Sequence, residues 1–108
     1  KILNSKESKE IGTSEKTHIA DYFWKYGELF LKKSDLEKNK SQKLYNLREA
    51  KVKLEEAERI YEALKSENIL DPAYLENPAK IAESLNKVEL GIALHSEKWE
   101  YLVLLIHL

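Results

Sequence analysis

The sequence predicts an all-α fold of antiparallel helical hairpins, and three observations carry that expectation. Residues 46–64, NLREAKVKLEEAERIYEAL, place Leu47, Ala50, Leu54, Ala57, Tyr61 and Leu64 at alternating steps of three and four, which sets them on one stripe of a helix. Asp71-Pro72 and Asn77-Pro78 each set a capping residue ahead of a proline, the pattern of helix N-termini after a break. No segment alternates apolar and polar residues at period two, and β-branched residues are sparse, so no strand competes.

Taken in order, Lys1–Lys16 is polar, mixed in charge and interrupted by Gly12. It reads as a frayed lead-in or the end of a preceding helix, with the helical domain proper over 17–108. Thr13 and Ser14 offer N-caps for a helix over about 15–33, whose Ile19, Ala20, Phe23, Tyr26, Phe30 and Leu31 recur at helical spacing. Gly27 inside it costs about 1 kcal/mol relative to Ala, which predicts close approach by the next helix. Ser34-Asp35-Leu36-Glu37 fits a capping box, so the second helix is expected over about 35–67. Its outer face carries Glu49, Lys53, Glu55, Glu56, Arg59 and Glu62, with Glu49–Lys53 and Glu55–Arg59 at the i, i+4 spacing of weak helix-supporting pairs. Ala50 and Ala57 put small residues seven apart on the apolar stripe, suiting a helix that is packed against on both sides. Asn77 should cap a helix from Pro78 to about His95 with Ile81, Leu85, Val88 and Ile92 on one face and Gly91 inside it. Ser96 should cap a last helix carrying Trp99, Leu102, Val103 and Ile106.

Composition excludes more than it assigns. Eighteen basic against nineteen acidic residues leave a net charge of −1, which favours neither a nucleic-acid surface nor an acidic tail. The absence of Cys rules out disulfides and thiolate metal sites. The run Leu102–Leu108 falls far short of the ~20 residues of a membrane span, and a soluble intracellular protein is the default. The chain has no Met, begins with Lys1 and ends in YLVLLIHL, which reads as a fragment of a larger domain. His18, His95 and His107 are scattered without partners at i+4, so no metal site and no cofactor is expected. Glu55, Glu58 and Glu62 share a helix face that reads as solvated rather than catalytic. With no phosphate-cradling glycine loop and no nucleophile elbow, no enzyme and no small-molecule substrate is expected.

Gly27 and Gly91 occupy matching places. Each lies three residues before a large apolar side chain, Phe30 and Leu94, in a helix that another follows. A mid-helix Gly followed by a helix with alanines seven apart is the signature of tetratricopeptide (TPR) helix pairs. The two glycines stand 64 residues apart, against the usual ~34-residue period, so the array would be irregular. Through Asn46, Leu47, Ala50, Leu54, Ala57, Ile60 and Tyr61, then Leu90, Gly91, Ser96, Glu97 and Trp99, the chain resembles the specialised SHNi-TPR region of the nuclear autoantigenic sperm protein family of histone chaperones. HIADYFWKYGELFLKKSDLEKN is similar to that family's preceding repeat, through Ala20, Phe23, Tyr26, Gly27, Leu29, Phe30 and Leu31, so the resemblance spans residues 18 to 104. It departs from the family pattern at Ser34–Lys43, short and basic where the family carries a long acidic insertion, and at Lys51, where the family favours Trp.

The resemblance implies a nuclear, histone-binding module acting in chromatin assembly, with core histones or another basic helical peptide as partner. If first helices line a concave groove, Asp21, Trp24, Glu28 and Leu31 of the first unit would face it, with Leu85, Val88, Ile92 and His95 of the second: an acidic rim beside an aromatic and aliphatic floor. Two alternatives stand beside it. SEKWEYLVLL also resembles the C-terminal coiled-coil hairpin of non-transporter ATP-binding cassette proteins, which would bind nucleic acid through Lys32, Lys33, Lys38, Lys40 and Lys43. The third is a purely structural helical module that self-associates through its C-terminal helix.

Overall fold

The computed structural model describes residues 5–95 and residue 106, and the described chain is helical with short connections. Helix α1 spans Ser5–Leu36, α2 spans Lys40–Ser66 and α3 spans Asn77–His95, with one 3₁₀ turn at Pro72–Tyr74 between the last two. Among these residues there is no strand.

Helix α2 is the centre. Leu47, Ala50, Leu54, Ala57, Tyr61 and Leu64, the stripe read from the sequence, are all buried, joined by Asn46 and Ile60. Both neighbours pack on α2 along its length, whereas α1 and α3 meet each other narrowly. Gly27 of α1 lies against Leu54 and Gly91 of α3 against Leu47, so each glycine marks a close crossing with the same central helix. Ile19 of α1 shares a surface hollow with Ile60 and Ala63, while Lys53 lies over Tyr26; contacts advance along α2 as they retreat along α1, and the hairpin is antiparallel. Leu47 at the start of α2 meets Gly91 near the end of α3, giving the second pair the same sense.

The connections differ from the sequence expectation where a side chain found another use. α1 runs back to Ser5, through the segment expected to be a frayed lead-in or the end of a preceding helix. A lone Gly12 with open space around it weakens a helix without ending it. Thr13 accordingly does not cap: its carbonyl accepts the Thr17 hydroxyl at 2.9 Å inside the helix. Ser34 does not cap either. It is buried, and its hydroxyl donates back to the Leu31 carbonyl at 2.6 Å, the local bonding that keeps a serine inside a helix. α1 therefore continues to Leu36, and the N-cap of α2 is Asn39, whose Oδ1 accepts from the Gln42 amide at 3.0 Å.

α2 ends with Asn68 in the left-handed region, φ 60°. The Asn68 amide donates to Lys65 and the Ile69 amide to Leu64, the paired bonds of a Schellman stop, with Ile69 folded onto the core. Asp71 caps the 3₁₀ turn through the Ala73 amide at 2.9 Å. α3 starts at Asn77, which is its first residue rather than the expected cap of a helix from Pro78: the Lys80 amide already donates to the Glu76 carbonyl at 3.2 Å. The helix buries Pro78, Ile81, Leu85 and Val88. The expected helix after Ser96 lies outside the described residues.

Candidate binding groove

The narrow meeting of α1 with α3 leaves a groove of about 590 Å³, lined by Asp21, Trp24, Lys25, Glu28, Leu29 and Lys32 of α1 and by Lys80, Glu83 and Ser84 of α3. Both sets follow helical spacing, so each is a single exposed strip of its helix. At the centre, the Glu28 carboxylate joins the two walls. Its Oε1 accepts the Trp24 indole N–H at 3.3 Å and also the Ser84 hydroxyl. The second bond bridges helices 56 residues apart in sequence.

The groove holds three carboxylates and three lysines, but the lysines are not equally free. Lys25 Nζ lies 2.8 Å from Asp21 Oδ2, and this hydrogen-bonded carboxylate holds the Lys25 ammonium above its ordinary pKa. Lys80 Nζ stands 4.0 Å from Glu76, outside the groove lining. Glu28, Glu83 and Lys32 are the charges with no ion-pair partner among the described residues. The unspent charge is thus mildly negative.

Of the residues expected to bind a partner, Asp21, Trp24 and Glu28 line the groove. Leu31 and Ile92 pack against the core, half-buried, without lining the groove, whereas Trp24 does both. Val88 is fully buried and Leu85 nearly so, so neither presents a surface to a ligand; the apolar stripe of α3 is consumed by α2. His95, half-buried at the end of α3, is not part of the lining. The α3 wall is instead Lys80, Glu83 and Ser84. Their signal in the sequence is their i, i+3, i+4 spacing on the face beside the apolar stripe.

Away from this groove, α1 carries an aromatic ladder. Tyr22 and Tyr26 rings sit 5.6 Å apart, Tyr26 and Phe30 5.3 Å apart, with Lys53 over Tyr26 and Lys33 over Phe30. Of these rings, Tyr26 is exposed, while Phe30 is half-buried and packs against the core. On the outer face of α2, Arg59 pairs with Glu56, one residue closer than the expected Glu55. Glu58 is half-buried rather than solvated. Burial, followed by the charges of Glu62, Glu55 and Glu89, holds its carboxyl above the ordinary range. Among the described residues no group of three or more His, Cys, Asp or Glu is placed to hold a metal ion, and no helix is long and apolar enough to cross a membrane.

Compared with protein-family models, curated proteins and solved structures, the chain has no significant match.

Proposed function

We propose that this chain is a non-catalytic protein-interaction module that receives a basic segment of a partner protein between α1 and α3, with core histones, in the nucleus, as the partner its SHNi-TPR resemblance points to. The single observation that supports this reading is the groove joining Trp24 and Glu28 of α1 to Ser84 of α3. Its unpaired charge, Glu28 and Glu83 against Lys32, favours a cationic segment, and Trp24 and Leu29 offer apolar surface for that segment's alkyl stems. The balance is mild, so affinity would depend on contacts with the groove walls more than on long-range steering.

The test is a pull-down of purified core histones, with duplex DNA as the competing ligand, by the unmodified protein and by the Trp24→Ala and Glu28→Lys variants. Histone capture weakened by both substitutions supports the groove. Capture of DNA alone, unaffected by Glu28→Lys and falling steeply with salt, selects the nucleic-acid-binding hairpin through the lysines around the α1–α2 connection. Capture of neither removes the histone reading and leaves a structural helical module.

A further inference from the structure

Resting on the groove reading, a more specific assignment follows from how Glu28 is held. A carboxylate oxygen has two lone-pair sites, and both sites of Glu28 Oε1 are taken, by the Trp24 indole N–H and the Ser84 hydroxyl. The other oxygen, Oε2, takes part in neither bond. No lysine of the groove pairs with this carboxylate: Lys25 is drawn to Asp21, Lys80 stands nearest Glu76, and Lys32, one turn along α1, forms no ion pair. A charged group fixed by two donors from two helices and unneutralised from within is pre-organised for a cation from outside. We propose that Glu28, held by Trp24 and Ser84, is the seat for one lysine ammonium group of the partner segment.

The choice of lysine over arginine comes from the same bonds. Arginine's advantage at a carboxylate is the bidentate fork, two parallel N–H donors to two oxygens. With Oε1 saturated, the parallel two-oxygen fork is lost and both guanidinium donors would have to share Oε2 at poorer angles. An ammonium is a compact point charge that needs only Oε2. The indole assists without competing. Its N–H lies in the ring plane, so the bond to Glu28 uses the edge of Trp24, and the part of the half-buried ring that lines the groove can lie along the lysine stem while the rest packs on the core.

The seat is tested by following the Trp24 indole N–H resonance, assigned with Trp24→Phe, while the full chain is titrated with N-acetyl-lysine methylamide, its arginine counterpart and its ε-acetylated form. The lysine compound should move the resonance, the arginine compound should bind about fivefold more weakly, and the neutral ε-acetylated compound should leave it in place. Glu28→Gln keeps an acceptor for Trp24 and Ser84 but removes the charge, and should abolish the response. Ser84→Ala returns a lone pair to Oε1, and should narrow the gap between lysine and arginine. An arginine response equal to or above that of lysine in the unmodified protein overturns the assignment, as does a lysine response that survives Glu28→Gln. The seat and the partner fail separately: a lysine response without histone capture upholds the seat and removes histones as partner. Histone capture without a lysine response removes the seat alone.

Discussion

Gly27 stands so close to Leu54 that a β-carbon added to it would lie 2.6 Å from Leu54 Cγ, 2.8 Å from Cδ2 and 3.2 Å from the Leu54 amide nitrogen. The clash reaches the branch point and the backbone of Leu54, and Leu54 is fully buried, so it has no room to turn away. Alanine is favoured over glycine in a helix interior by about 1 kcal/mol, but overpacking a core costs about 1–3 kcal/mol. Gly27→Ala is therefore expected to destabilise the chain by up to about 2 kcal/mol, lowering the urea midpoint. A midpoint unchanged or raised would mean that α1 and α2 do not cross where Gly27 and Leu54 meet.

Gly91 shares its sequence context with Gly27 but not its surroundings. A β-carbon there would sit 3.1 and 3.2 Å from the two terminal methyls of Leu47, atoms at the flexible end of a side chain. The helix-propensity gain and the small repacking cost nearly cancel, and Gly91→Ala should change stability by no more than about 0.5 kcal/mol. Gly12, with nothing within 4 Å, sets the third case: Gly12→Ala should stabilise by about 0.5–1 kcal/mol. The ordering of the three urea midpoints is the check, with Gly12→Ala highest and Gly27→Ala lowest.

The three glycines also show what the sequence could and could not say. That Gly27 and Gly91 mark helix crossings was legible, because a glycine retained inside a strong helical pattern needs a reason and close packing is the commonest. Which crossing is tight was not, since that depends on whether Leu47 or Leu54 offers a methyl or its branch point. The α2 stripe was legible throughout because one helix contacts both neighbours. The connection before α2 was misread at Ser34. A serine hydroxyl can cap a new helix or bond back into its own, and only its burial beneath the packed hairpin selects the second. Of the α1 residues expected to face a partner, Asp21, Trp24 and Glu28 line the groove and Leu31 packs on the core, while Lys80, Glu83 and Ser84 of the α3 wall were not among the expected residues. Apolar residues of α3 were given to a ligand, when the core takes a helix's apolar stripe first.

Tyr61 is fully buried, and its hydroxyl has no hydrogen-bond partner among the described residues. Burial pushes its phenol pKa up, and the Asn77 side chain offsets part of that push without completing a bond. An unpaired buried hydroxyl costs its desolvation and returns nothing. Tyr61→Phe, which keeps the ring and its packing, should be neutral or stabilising by up to about 1 kcal/mol in urea unfolding. A loss above that, matched non-additively by Asn77→Ala, would show that the two side chains are bonded in solution.

Glu58 gives the fold a pH dependence whose sign is fixed by its surroundings. Burial first, and then Glu62, Glu55 and Glu89, raise its carboxyl above the ordinary value of 4.5. A carboxyl that holds its proton more tightly when folded than when unfolded opposes folding once it ionises. The penalty is absent below 4.5, grows as pH rises from there to the higher native value, and is constant above it. Glu58→Gln should therefore stabilise the chain at neutral pH, by no more than about 1 kcal/mol because solvent still screens a group that is only partly buried. The gain should fade on acidification and vanish below the ordinary carboxylate range. Salt separates the two causes. Raising ionic strength to about 1 M shortens the screening length to about 3 Å and removes the repulsion from the three neighbouring carboxylates, but leaves the cost of burial. Since burial is the larger cause, most of the gain from Glu58→Gln should persist in high salt; a gain that salt abolishes would assign the shift to the neighbouring charges instead.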